Sequence, residues 1–71
     1  MMKLAKNLLR ELRESKSITQ EELAQQMSVS RQTINAIERD RYTPSLPLAI
    51  KLSRFFDCQV TDLFDVQEDF Q

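Results

Sequence analysis

Arg31, Gln32 and Asn35 fall close together in the run Ser30-Arg31-Gln32-Thr33-Ile34-Asn35-Ala36-Ile37-Glu38-Arg39. In a helix advancing about 100° per residue with Ile34 and Ile37 turned inward, Gln32, Asn35, Ala36 and Arg39 point outward, and Arg31 lies in the exposed first turn. This face carries few charges and several amides, which is unusual for a surface that is merely solvated. Its groups match the edges of base pairs. Arginine offers two donors to guanine O6 and N7, glutamine or asparagine a donor and an acceptor to adenine N6 and N7, and the alanine methyl a contact to the thymine methyl. Other chemistries find little support. The chain has no histidine, no glycine for a phosphate-cradling loop, and Cys58 as its single cysteine. It therefore has no disulfide and no cysteine-rich zinc site, and no nucleophile–base pair is evident. The sequence is read as non-enzymatic, without metal or cofactor, with Cys58 a small apolar residue ahead of the last helix.

A reading helix must be held by a body, and 71 residues allow one domain near the lower limit for a core without staples. The formal net charge is −1, unpromising for a polyanion partner until it is divided along the chain. Residues 1–57 carry ten Lys/Arg against seven Asp/Glu, and residues 58–71 carry Asp62, Asp65, Glu68 and Asp69 with no base. A mildly basic body thus precedes an acidic tail. No long apolar run is present, so neither a signal peptide nor a membrane span is expected, and a cytoplasmic location is.

Five short helices follow from periodicity and capping chemistry. The first is expected from about Leu4 to Lys16, with Leu8, Leu9 and Leu12 on one stripe. The second opens at a capping box, Thr19-Gln20-Glu21-Glu22, flanked by the Ile18–Leu23 hydrophobic staple, and buries Leu23, Ala24 and Met27. The third is capped by Ser30 with a Val29–Ile34 staple and ends near Glu38 or Arg39. Residues 40–44 form a loop, because Pro44 disfavours helical geometry at Thr43. The fourth runs from Ser45 to about Asp57, tolerates Pro47 in its first turn, and buries Leu48, Ala49, Leu52, Phe55 and Phe56. A short fifth helix capped by Thr61 carries Leu63 and Phe64. Val66 to Gln71 are expected to fray, although Val66 and Phe70 are apolar enough to pack. The fold class expected is all-α, one domain over residues 1–71 with its core at about 4–65 and an acidic tail at 66–71.

Only Met27-Ser28-Val29 separate the second helix from the cap of the third, which forces a steep crossing. Ala24 is the small residue such a crossing needs, with Val29, Ile34 and Ile37 as its partners. The run Gln20 to Glu38, together with the loop Arg41-Tyr42-Thr43-Pro44-Ser45-Leu46 and the helix after it, resembles the lambda-repressor/Cro-like (Xre) helix-turn-helix family across nearly the whole chain. That resemblance implies a compact five-helix bundle with the helix-turn-helix in helices two and three. It implies a sequence-specific transcriptional regulator, a repressor, that binds double-stranded DNA at a palindromic operator as a homodimer. The third helix would enter the major groove.

Position by position, the resemblance makes Arg31, Gln32 and Ala36 the base-reading residues, with Thr33 and Asn35 beside them. It makes Gln20, Ser30, Arg41 and Tyr42 contacts to the DNA backbone, which position without specifying sequence. It also implies a structural ion pair between Arg13 and Glu38. The chain departs from the family where glycine is usual: Ser28, Asp40 and Asp57 stand in the three turns. A protein-interaction module, such as an antitoxin that binds its own operator, is the competing reading; a toxin-like neighbouring gene would favour it.

Overall fold

In the computed structural model, residues 3–67 are described. Five helices are present: α1 (Leu9–Ser15), α2 (Gln20–Met27), α3 (Arg31–Glu38), α4 (Leu46–Phe55) and α5 (Val60–Leu63). Strands β1 (Lys3–Asn7) and β2 (Phe64–Gln67) bracket them and pair antiparallel. The five helices expected are all present, and the ribbon is an addition to them.

The ribbon corrects the reading of both ends. Residues 4–7 were expected to open the first helix, and they form β1 instead. Two local features stop α1 from extending backward. The side-chain Oδ1 of Asn7 accepts from the backbone N–H of Leu9 at 3.1 Å, an Asx-type turn that starts the helix. The N–H of Leu8 is taken up by the carbonyl of Leu63 at 3.0 Å. At the other end, Val66 and Gln67, expected to fray, belong to β2. Phe70 and the rest of 68–71 lie outside the described residues. The register pairs Leu4 with Val66 but Lys6 with Asp65, so β1 carries one extra residue between them, a bulge that bends the strand. The fifth helix is also capped two residues earlier than expected. Gln59 is its N-cap, with Asp62 accepting from the Gln59 N–H at 3.1 Å, and Thr61 lies inside the helix.

The other caps follow from sequence chemistry. Thr19 accepts from the N–H of Glu22 at 3.0 Å while Glu22 accepts from the N–H of Thr19 at 2.8 Å, a reciprocal capping box. Ser30 accepts from the N–H of Thr33 at 3.1 Å, and Ser45 from that of Leu48 at 3.3 Å. Each such cap stabilises its helix by about 1 kcal/mol.

The C-termini of α1 to α4 share one device. Each ends in a left-handed residue that is not glycine: Ser17 (φ 57°), Ser28 (φ 60°), Asp40 (φ 60°) and Asp57 (φ 55°). The N–H of the next residue reaches back five positions in every case: Ile18 to Arg13, Val29 to Ala24, Arg41 to Ala36, and Cys58 to Ser53. These are Schellman closures, which satisfy the last helical carbonyls and turn the chain sharply. Making them without glycine costs of order 1 kcal/mol each.

The core is made by Leu9, Leu23, Ala24, Met27, Ile34, Ile37, Leu48, Ala49, Leu52, Phe56, Leu63 and Phe64, all buried. Leu12, Ile18, Val29, Phe55, Cys58 and Val60 pack against its edge. Every helix contributes, so no helix is held by its own propensity alone, as expected for helices this short. Among the described residues, no helix is long and apolar enough to cross a membrane.

Candidate nucleic-acid interface

The helix-turn-helix is built from α2, the turn at Ser28, and α3. Ala24 is 3% exposed, and Ile34 and Ile37 are fully buried, so the two helices meet through a small residue on one side and two aliphatics on the other. Lys51 on α4 donates its ammonium to the carbonyl of Met27 at 2.8 Å, tying down the end of α2. This interaction places a cation where the helix dipole favours one.

With the inner face of α3 fixed, its remaining positions separate by exposure. Arg31, Gln32 and Arg39 are exposed, while Thr33, Asn35 and Ala36 are half-buried. Arg31 and Gln32 stand at the first turn with their side chains open to solvent. Thr33 shares a hydroxyl–hydroxyl hydrogen bond with Ser30 at 2.9 Å, so both residues serve the start of the helix.

Asn35 does not project freely. Its Oδ1 accepts from Nε2 of Gln20 at 3.2 Å, and the same Gln20 amide donates to Oε1 of Glu38 at 3.0 Å. Oε1 of Gln20 in turn accepts a long contact from Nη1 of Arg31 at 3.5 Å. The first residue of α2 is therefore connected to the start, middle and end of α3. Gln20 has its amide N–H groups directed into the protein, and its remaining freedom lies on the carbonyl side and at the backbone N–H groups of the α2 N-terminus, which suit a phosphate.

Behind this lies the ion pair. Nε of Arg13 donates to Oε2 of Glu38 at 2.7 Å and Nη2 to Oε1 at 3.3 Å, a fork that matches the carboxylate. Nη1 of Arg13 donates to the carbonyl of Ile18 at 2.8 Å. The side chains are 12% and 3% exposed. One guanidinium thus joins α1, the turn before α2, and the end of α3. Its hydrogen bonds to Glu38 raise the pKa of Arg13 above the ordinary arginine value, against the opposing effect of burial. Arg10, Arg13, Gln20, Asn35, Glu38 and Arg39 line an open polar groove of about 260 Å³ beside this network.

The loop after α3 exposes Arg41 and Tyr42, and Tyr42 and Leu46 are the large apolar side chains that stand open to solvent among the described residues. One residue that sequence reasoning missed sits at its root. Asn7 was placed inside the first helix, yet its amide donates to the carbonyl of Ile37 at 2.6 Å and to Oδ1 of Asp40 at 2.8 Å. Those partners are 30 and 33 residues away in sequence, so no local pattern points to them.

A helix locked on its inner side, with arginine and glutamine open at its N-terminal turn and a short turn to a preceding helix, defines a helix-turn-helix DNA-binding domain. The chain belongs to the lambda-repressor/Cro-like helix-turn-helix family. The family profile, described as helix-turn-helix, matches residues 9–63, which spans α1 to α5 and excludes the ribbon. An uncharacterised HTH-type transcriptional regulator of Methanocaldococcus jannaschii is 47% identical over 64 residues, covering 90% of this chain and 97% of the relative. One from Bacillus subtilis is 41% identical with the same two coverages, 90% and 97%. Among solved structures, the restriction-modification controller protein C.AhdI of Aeromonas hydrophila superposes with a TM-score of 0.70 at 36% identity, over 79% of this chain and 81% of that one. A Pseudomonas aeruginosa protein in complex with its operator DNA superposes with a TM-score of 0.68 at 33% identity, over 79% and 61%.

Proposed function

We propose that this DNA-binding transcriptional regulator acts in the cytoplasm as a homodimeric repressor, seating α3 of each copy in the major groove of a palindromic operator. Arg31 and Gln32 read purine edges, and Ala36 meets a thymine methyl. Thr33 and Asn35 flank them, with Asn35 acting first to hold Gln20. Gln20 and Ser30, at the N-termini of α2 and α3, and Arg41 and Tyr42, in the loop after α3, contact phosphates on either side. The observation that carries this reading is the contrast on one helix. Arg31 and Gln32 are exposed, Arg31 with a single long contact to Gln20, while Asn35 and Glu38 are held from behind by Gln20 and Arg13. Such a helix presents its reading groups in a fixed direction, which direct readout requires.

The near-neutral net charge favours two copies. With little long-range attraction available, binding leans on well-placed contacts, and doubling them raises affinity without added charge. Selection from a random-oligonucleotide pool tests this directly. A palindromic consensus, with one protein dimer bound per duplex by light scattering, is the expected outcome. A pool with no consensus after repeated rounds would remove sequence-specific repression from consideration.

A further inference from the structure

We propose that Asn7 is a positioning residue for DNA contact, which aims the loop of residues 41–45 by clamping the C-terminal turn of α3; the proposal rests on the reading that this loop meets the DNA backbone. The chain leaves α3 through Asp40, whose φ of 60° sets the direction of everything after it. Asp40 is an odd choice for that place. It carries a β-carbon in a left-handed conformation, and its carboxylate stands where the helix dipole is negative, with no basic residue in the last turn of α3. Asn7 answers both difficulties with one amide. Its Nδ2 bridges the carbonyl of Ile37 and the carboxylate of Asp40, at 2.6 and 2.8 Å.

The other end of the same side chain starts α1, through Oδ1 and the N–H of Leu9 at 3.1 Å. Asn7 is also the last residue of β1, paired with Phe64. Three elements therefore converge on it: the ribbon, the first turn of α1, and the exit from α3. A comparison within the molecule singles this turn out. Ser17, Ser28 and Asp57 make the same left-handed closure, and among the described residues the hydrogen bonds include none from their side chains. Among the described residues, Asp40 is the one left-handed residue of the four whose own side chain is held, and it opens the loop that exposes Arg41 and Tyr42.

Substitutions can separate positioning from stability. Asn7→Asp keeps an oxygen for the N–H of Leu9, removes the donor, and sets a second carboxylate against Asp40. Asp40→Gly removes the grip from the other side and relieves the backbone, so the chain folds at least as well. Both are measured by fluorescence anisotropy against the duplex selected by the wild-type chain and a scrambled duplex, with folding checked by circular dichroism at the assay temperature. Asp40→Gly, which loses one clamping hydrogen bond, is expected to weaken binding by about five- to tenfold on both duplexes with base preference intact, and Asn7→Asp, which loses the bond to the Ile37 carbonyl as well, by at least as much. Asn7→Asp combined with Asp40→Asn returns a donor to the pair with reversed polarity but leaves the Ile37 carbonyl without one, and is expected to recover part of the affinity that Asn7→Asp loses.

A purely structural role predicts instead that Asp40→Gly binds as well as wild type, and that result overturns the proposal. So does a folded Asn7→Asp variant with unchanged affinity, or a double variant that recovers nothing. If Asn7→Asp fails to fold, Asp40→Gly decides alone. Arg41→Ala in the wild-type background is the control for the underlying reading: if it leaves affinity unchanged, the loop does not meet the backbone. If Arg41→Ala weakens binding and Asp40→Gly does not, only the role of Asn7 falls.

Discussion

Replacing Arg13 with methionine should come close to unfolding the protein, although Arg13 is not among the residues proposed to touch DNA. The side chain of Glu38 is 3% exposed and takes two hydrogen bonds from Arg13, leaving the Gln20 amide as its remaining donor when Arg13 is removed. A buried charge stripped of its partner typically costs about 3–5 kcal/mol. The carbonyl of Ile18 loses its donor as well. For a chain of 71 residues the whole stability is roughly 4–10 kcal/mol, so the loss takes a third of it or more. The unfolding entropy of such a chain is about 0.15 kcal/mol per kelvin, which makes 3 kcal/mol a fall of about 20 °C in Tm. Thermal melts by far-UV circular dichroism, with urea titration for ΔG, measure it. Arg13→Met with Glu38→Met removes the stranded charge and is expected to recover at least half of the loss. A drop in Tm under about 5 °C for Arg13→Met would refute the reasoning, since that is the size of an ordinary surface hydrogen bond. So would a double variant whose loss equals the sum of the singles.

Further outcomes follow from the same geometry. Ser28→Gly is expected to raise Tm by about 4–8 °C, because the left-handed turn keeps its hydrogen bonds and loses the strain of a β-carbon; a lower Tm contradicts the assignment of strain. Thr19→Ala breaks the capping box and should cost about 1 kcal/mol in a urea titration, and no measurable change would remove the cap from the account. Burial raises the pKa of the Cys58 thiol, with Asp62 and Asp57 adding to it. Its iodoacetamide reaction is therefore expected to rise with pH at a midpoint above that of an unstructured cysteine peptide. Because the folded-state pKa is the higher one, the contribution to stability is complete below the unfolded-state value and is lost as pH rises through the folded one. A midpoint at or below the peptide's contradicts this. Arg41→Ala is expected to lower the slope of log affinity against log salt by about 1, with base preference unchanged.

The elements most legible in the sequence were those specified by neighbours. Thr19–Glu22, Ser30 and Ser45 are caps whose partners lie three residues away, and each forms. The apolar stripes of α2, α3 and α4 gave the core, because a helix places residues three and four apart on one face. What escaped was specified at a distance. Residues 4–7, within the strand Lys3–Asn7, read as helix when the only guide is Leu4, Leu8, Leu9 and Leu12. The strand exists because Phe64–Gln67 supplies a partner about sixty residues on. A two-stranded ribbon this short has no local signature and is marginal alone. The left-handed turn at Ser17 was missed for a related reason, since serine there gives none of the warning that glycine would. In the candidate site, exposure at Arg31 and Gln32 follows from helical phase alone. The inward attachment of Asn35 through Gln20 does not, because it depends on how α2 crosses α3.

The function proposed for α3 requires that it read bases through Arg31 and Gln32. The most direct measurement is the ratio of affinities for the selected duplex and a scrambled duplex, at fixed salt, for wild type and for Arg31→Ala with Gln32→Ala. Each lost bidentate contact is worth about 1–3 kcal/mol of discrimination, so the ratio is expected to fall by at least about thirtyfold, with scrambled-duplex affinity nearly unchanged. A double variant that keeps the wild-type ratio would show that the bases are read elsewhere.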